Sequence, residues 1–111
     1  MFPKKERLNR ADFSRFFSSG RRFHHAFCTL VYTPFDSRHV SVVVPKKVCA
    51  KATKRNRLRR QVYAGVRRVL TKKGYTGVYI FLMKKSGALA PAHLLQEGVE
   101  EIIEKAQSAV K

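Results

Sequence analysis

From position 37 to position 96 the chain carries 15 lysines and arginines and not one aspartate or glutamate. Such a span cannot neutralise itself through internal ion pairs, so it must fold with its cations outside and its positive field projecting into solvent. The flanks are nearer to balance. Residues 1–36 hold 7 basic and 3 acidic residues, and residues 97–111 hold 2 basic and 4 acidic. The formal charge of the whole 111-residue chain is +17, which calls for a polyanionic partner. The middle segment is the binding segment, and the acidic end is a solvated or supporting element.

A core must form between these cations. A 44% hydrophobic and 11% aromatic composition excludes a wholly disordered basic tail. The length predicts a single domain, residues 1–111, around one core. No stretch approaches the roughly 18 uncharged apolar residues of a membrane span, and Met1-Phe2-Pro3-Lys4-Lys5-Glu6-Arg7 lacks the apolar run of a signal peptide, so a cytoplasmic protein is expected. Cys28 and Cys49 are too far apart for a CxxC metal pair and read as small buried or half-buried residues.

Read in order, Leu8-Asn9-Arg10-Ala11-Asp12-Phe13 is a helix start. Asn9 caps, Asp12 takes the capping-box place, and Leu8 staples onto Phe13. Phe13, Phe16 and Phe17 share one face, and Gly20 stops the helix. Arg22 to Thr33 is β-branched and aromatic, hence extended chain long enough for two short strands, closed by Pro34. His39 to Val44 is a buried strand that Pro45 ends.

Residues 50–73 form a long helix. Leu58, Val62, Val66, Val69 and Leu70 make its apolar stripe. At 100° per residue Asn56, Arg60, Tyr63 and Arg67 cluster on the opposite side, widened by Arg57 and Arg68, with Arg55 and Arg59 at the stripe's margins. Gly74 stops this helix, and Thr76 to Met83 is an apolar strand. Lys84 to Gly87 reads as a loop. Pro91 opens a last helix that buries Leu95, Val99, Ile102, Ile103, Ala106 and Val110 and turns Glu97, Glu100, Glu101 and Glu104 to water. The order is α-β-β-β-α-β-α, an α+β sandwich of helices against one sheet.

Self-contained hydrolytic chemistry finds little support. A metal-dependent nuclease needs clustered carboxylates, and the 7 acids do not cluster by spacing. His24 and His25 are adjacent on a strand and point to opposite faces, so the ordinary reading is one surface and one packed histidine. RNA-binding chemistry is better supplied. Arginine and lysine neutralise phosphates, and Phe13, Phe17, Tyr32 and Tyr79 offer rings to unpaired bases, although core packing is the commoner use of any single aromatic in a small domain.

Lys54-Arg55-Asn56-Arg57-Leu58-Arg59-Arg60, at the start of an amphipathic helix and after a valine-rich strand that leads to Lys46-Lys47, resembles the protein subunit of bacterial ribonuclease P. Asp12-Phe13, Phe17, Gly20 and Leu30-Val31-Tyr32 extend the resemblance over nearly the whole chain. It implies a fold like domain 2 of ribosomal protein S5, with a left-handed β-α-β crossover. It also implies a noncatalytic subunit of an endoribonuclease that removes the 5′ leader of precursor tRNA. The RNA subunit would be the catalyst and would use Mg2+, and the protein itself would bind no cofactor. Carried over by motif, Arg55, Asn56, Arg57, Arg59, Arg60 and Arg67 would contact catalytic RNA. Phe13, Phe17 and Tyr32, with Lys46, Lys47, Lys51 and Lys54, would serve the leader cleft. The chain departs from the family in carrying Tyr63 where a further arginine is common, and Val43 and Pro45 where small and hydroxyl residues are.

Two other classes share parts of this pattern. A ribosomal or other structural rRNA-binding protein would show the same charge and co-sediment with ribosomal subunits. An autonomous metal-dependent nuclease would cleave without RNA and depend on an acidic residue.

Overall fold

Asn9 keeps an extended backbone while its side-chain oxygen accepts from the Asp12 N–H at 2.8 Å, and this starts the first helix, α1 (Arg10–Ser19). The structure is a computed structural model that describes residues 7–110, so all of the N-terminal segment Met1 to Arg7 except Arg7 lies outside the described residues. Gly20 ends α1, its N–H donating to the Phe16 carbonyl at 2.8 Å. Glycine is needed there for space. Its φ is −70°, an ordinary value, but a Cβ would stand 2.5 Å from Val31 Cγ1.

Three strands follow, β1 (Arg21–His24), β2 (Cys28–Thr33) and β3 (Arg38–Val43). The long helix α2 (Ala52–Lys73) then leads to β4 (Gly77–Met83). The sheet order is β1-β2-β4-β3. β2 pairs antiparallel with β1 and β4, whereas β3 and β4 are parallel, so α2 is the crossover that parallel neighbours require. At the end of α2, Gly74 adopts φ 69°, a left-handed conformation that glycine takes without strain, and its N–H donates to Leu70. A short helix α3 (Lys85–Leu89) precedes the last helix, α4 (Ala92–Ala109).

The two faces of the sheet bury different partners. On one face Leu30, Tyr32, Val40, Val42, Tyr79 and Phe81 pack against Leu58, Val62, Val66, Val69 and Leu70 of α2 and against the α4 stripe. On the other, Val31, Val78 and Ile80 lie under Phe16 of α1, with Leu8, Phe13, Phe17 and Leu82 partly buried around them. Each fully buried aliphatic side chain contributes about 1.5–3 kcal/mol, so α2 and α4 hold most of the fold together and α1 covers a smaller patch.

Several sequence-based expectations need correction. Lys84–Gly87 is not simply a loop, because α3 begins at Lys85. The Lys84 N–H donates to the Phe27 carbonyl and the Ser86 hydroxyl to Ala26, and five residues are too few to show a helical period. Val110 lies just past α4 and is 38% exposed instead of sharing the stripe. The acids of α4 are not all free in water. Glu101 lies 3.1 Å from His25 Nε2, and half-buried Glu104 lies 4.0 Å from Lys73 Nζ and bonds Tyr75, raising that phenol's pKa.

Candidate nucleic-acid interface

The cationic stretch begins where β3 leaves the sheet. The Pro45 carbonyl accepts from the N–H groups of Val48 and Cys49 at 3.0 and 3.2 Å, and this tight turn leaves Lys46 and Lys47 exposed on its outside. Proline at that place therefore terminates the strand and presents the two lysines. α2 then starts at Lys51, whose side chain makes no capping bond, and the first turn contains no acid. Lys51, Lys54, Asn56, Arg57, Arg60 and Arg67 are all exposed. A helix N-terminus carries partial positive charge of its own, so Lys51 and Lys54 at that end add to it instead of offsetting it, and the field there favours an anion.

Arg55 and Arg59 are half-buried, as their marginal positions predict. Arg55 donates through one nitrogen to the carbonyls of Cys49 and Ala50, at 3.1 and 2.6 Å, and ties the approach segment to the helix. Arg59 donates to Asn56 Oδ1. Arg68 leaves the basic face for α4, donating to Gln96 Oε1 at 3.0 Å. Tyr63 is also misplaced by simple helical projection. It is half-buried, packs against the main core and accepts the Val42 N–H of β3 through its hydroxyl at 3.3 Å. Its position flanks the apolar stripe, and a long aromatic side chain there folds back toward the sheet. Asn56, Arg59, Arg60 and Tyr63 together line a cavity of about 270 Å3.

The aromatic candidates divide between the two faces of the sheet. Phe13 and Phe17, both half-buried on α1, stack with ring centroids 5.6 Å apart and planes 14° from parallel. The Arg22 guanidinium stands 4.7 Å from the Phe17 ring centroid, and its strand partner Val31 faces the same α1 side. Tyr32 does not join them. It is 4% exposed on the opposite face, 4.9 Å from the Tyr79 ring, and the Gln107 amide donates to both phenols at 3.2 and 2.6 Å. Burial raises the Tyr79 pKa strongly, so Tyr79 stays neutral inside the core. The seven residues assigned to a leader cleft are therefore not one surface. Phe13 and Phe17 share the α1 face, Tyr32 and Tyr79 are core, and the lysines run from the end of β3 into α2. Val43, the last residue of β3, pairs with Leu82, which packs in the same cluster as Phe13 and Phe17, and Lys46 and Lys47 follow in the turn beyond it.

Residues 2–107 match the family model described as Ribonuclease P. The chain belongs to the ribonuclease P protein family. It is 35% identical over 88 residues to the ribonuclease P protein component of Microcystis aeruginosa, covering 70% of this chain and 72% of that one. The Pseudanabaena ribonuclease P protein component is 35% identical over 77 residues, 65% of this chain and 66% of the relative. Among solved structures, a Staphylococcus aureus RNase P protein mutant with defective mRNA degradation activity superposes with a TM-score of 0.78 at 18% identity, covering 94% of this chain and 90% of that one. The Thermotoga maritima RNase P protein gives 0.73 at 23% identity, with coverage of 90% and 96%. These two likenesses establish the α+β fold.

As a ribonuclease P protein component, the chain is one subunit of a ribonucleoprotein enzyme and has an RNA partner. Among the described residues no three His, Cys, Asp or Glu side chains stand where they could hold a metal ion, and no helix is long and apolar enough to cross a membrane. His24 and His25 serve different neighbours. His24 Nδ1 lies 3.3 Å from the Thr29 hydroxyl, while His25 Nδ1 accepts the Phe27 N–H and its Nε2 faces Glu101. Arg22 and Val31 are the residues of the α1 face that sequence reasoning missed. β2 is buried on both faces, so it has no polar alternation to show which residues face α1.

Proposed function

We propose that the RNA partner is the catalytic RNA of ribonuclease P and that the assembly acts on precursor tRNA, removing its 5′ leader by endonucleolytic cleavage. Arg57, Arg60 and Arg67, with Asn56 and the half-buried Arg55 and Arg59, bind the catalytic RNA along α2. Phe13 and Phe17 receive the single-stranded leader on the α1 face, and Lys46, Lys47, Lys51 and Lys54 supply phosphate contacts where β3 passes into α2. The protein contributes no catalytic group. The metal ions of the reaction, Mg2+, are used by the RNA subunit, and the enzyme works in the cytoplasm.

The observation that carries this reading is the start of α2. An uncapped helix N-terminus with lysines and arginines and without a carboxylate is electrostatically unfavourable until an external polyanion occupies it. The stacked Phe13–Phe17 pair on the other face supports a second role, since rings accept unpaired bases without regard to sequence.

Reconstitution tests it. Added to a bacterial ribonuclease P RNA at low magnesium, the protein should accelerate leader removal, and alone it should cleave nothing. Arg60→Ala should weaken RNA binding and reduce the slope of log K against log salt by roughly 0.7–0.9, the share of one phosphate. Leader binding and cleavage that are the same with and without the protein would sink the proposal.

A further inference from the structure

Tyr63 stands where a further arginine would extend the basic face, and the structure builds it into a cavity. Asn56, Arg59, Arg60 and Tyr63, at spacings that share one helix face, line the space of about 270 Å3 on α2. β3 is the last strand on its side of the sheet, and the hydrogen bond from the Val42 N–H to the Tyr63 hydroxyl holds the phenol where the helix meets that edge. The half-buried ring is braced from behind by the main core.

A phosphate asks only for cations, and Arg59 and Arg60 supply them. The cavity adds an aromatic ring and a neutral amide, the two groups that recognise a base, by stacking and at its edge. Arg59 already occupies Asn56 Oδ1, so the N–H donors of the amide are what Asn56 offers a ligand. We propose that this cavity holds one unpaired, unstacked nucleotide of the RNA partner. Its base lies against Tyr63, an acceptor on its edge takes the Asn56 amide, and the adjoining phosphates meet Arg59 and Arg60. A regular duplex presents no base to the ring, so the site selects a bulge or a single-stranded turn within a structured RNA. This inference rests on the reading of α2 as the RNA-facing helix.

The test uses the full-length protein and two hairpin RNAs that differ only in a single bulged 5-iodouridine. The bulged hairpin should bind roughly tenfold more tightly than the continuous one, and irradiation should crosslink its iodouridine to Tyr63, as located by mass spectrometry. Tyr63→Phe should retain both results. Tyr63→Leu, shown to be folded by thermal unfolding, should lose both and keep the salt dependence of the wild type, because no phosphate contact is removed. Equal affinity of the wild type for the two hairpins overturns the inference, and so does a crosslink to another residue. These two wild-type measurements decide the matter even if Tyr63→Leu does not fold. Arg60→Ala separates this failure from that of the reading beneath it. If it leaves affinity and salt slope unchanged on both hairpins, α2 is not the RNA-facing helix; if it lowers the slope while the wild type shows no bulge preference, only the nucleotide site is wrong.

Discussion

α1 and α2 lie on opposite faces of one sheet, and their first turns are built in opposite ways. α1 satisfies its own start, with the Asn9 side chain on the Asp12 N–H and the Asp12 carboxylate at the helix's positive end. α2 begins with Lys51, Lys54 and Arg55, without a side-chain cap and without an acid. Each cation at that end costs about 0.3–1 kcal/mol of helix stability, a sacrifice that an anionic partner reverses. The helix faces repeat the contrast. α1 turns stacked rings toward the sheet, whereas α2 turns guanidiniums and ammonium groups toward solvent. One helix is completed from within the chain, and the other is left to be completed from outside it.

The largest expected effect tests whether the two faces have separate ligands. Phe17→Ala should cost roughly 1–3 kcal/mol in binding of leader-bearing precursor tRNA and leave mature tRNA unaffected. Equal losses for both ligands would return Phe17 to packing alone. Lys51→Asp attacks the other side of the comparison. The backbone at position 51 is already extended, so aspartate can cap there and should raise unfolding stability by about 1 kcal/mol while weakening RNA binding. Denaturant unfolding and RNA binding on the same sample should therefore move in opposite directions, and movement in the same direction would erase the contrast.

Asn9→Ala should cost about 1 kcal/mol of stability, and RNA affinity, measured where the variant is fully folded, should not change. The smallest effect is one of thiol labelling. Burial, opposed by the Lys84 charge, raises the Cys28 pKa from 9.0 to about 11, whereas Cys49 is half-buried in the segment just ahead of α2. At pH 8 a thiol reagent should modify Cys49 and spare Cys28, and bound RNA should slow the Cys49 reaction alone. The same shift sets a pH dependence. The folded state holds the Cys28 proton more tightly than the unfolded state, so this contribution to stability is complete below pH 9 and is lost as pH rises through about 11.

The elements that carry their own signals were legible from residues. Asn9 and Asp12 mark the start of α1, Gly74 marks the end of α2, and the Leu58-Val62-Val66-Val69 stripe marks the buried side of α2. The exposed cations of α2 followed from the same period. Tyr32 did not. Both parities of β2 are buried, so nothing local distinguishes Val31, which faces α1, from Tyr32, which faces α4. Tyr63 escaped because a residue at the flank of a stripe goes wherever a neighbour receives it, and the neighbour is the Val42 N–H on an edge strand. The role of Arg22 depends on Phe17, which reaches it only when α1 crosses the sheet.

By itself, then, the sequence determined the segregation of charge, the order of the elements and the buried side of each amphipathic helix. These are properties of single segments, set by composition and by the 3.6-residue period. Only the tertiary structure decided which aromatic rings belong to the core, which lie on the α1 face, and that a tyrosine closes a cavity among the arginines of α2. A side chain's face on a doubly buried strand, or at the flank of a helix stripe, is fixed by whatever packs against it, and that partner is distant in the chain.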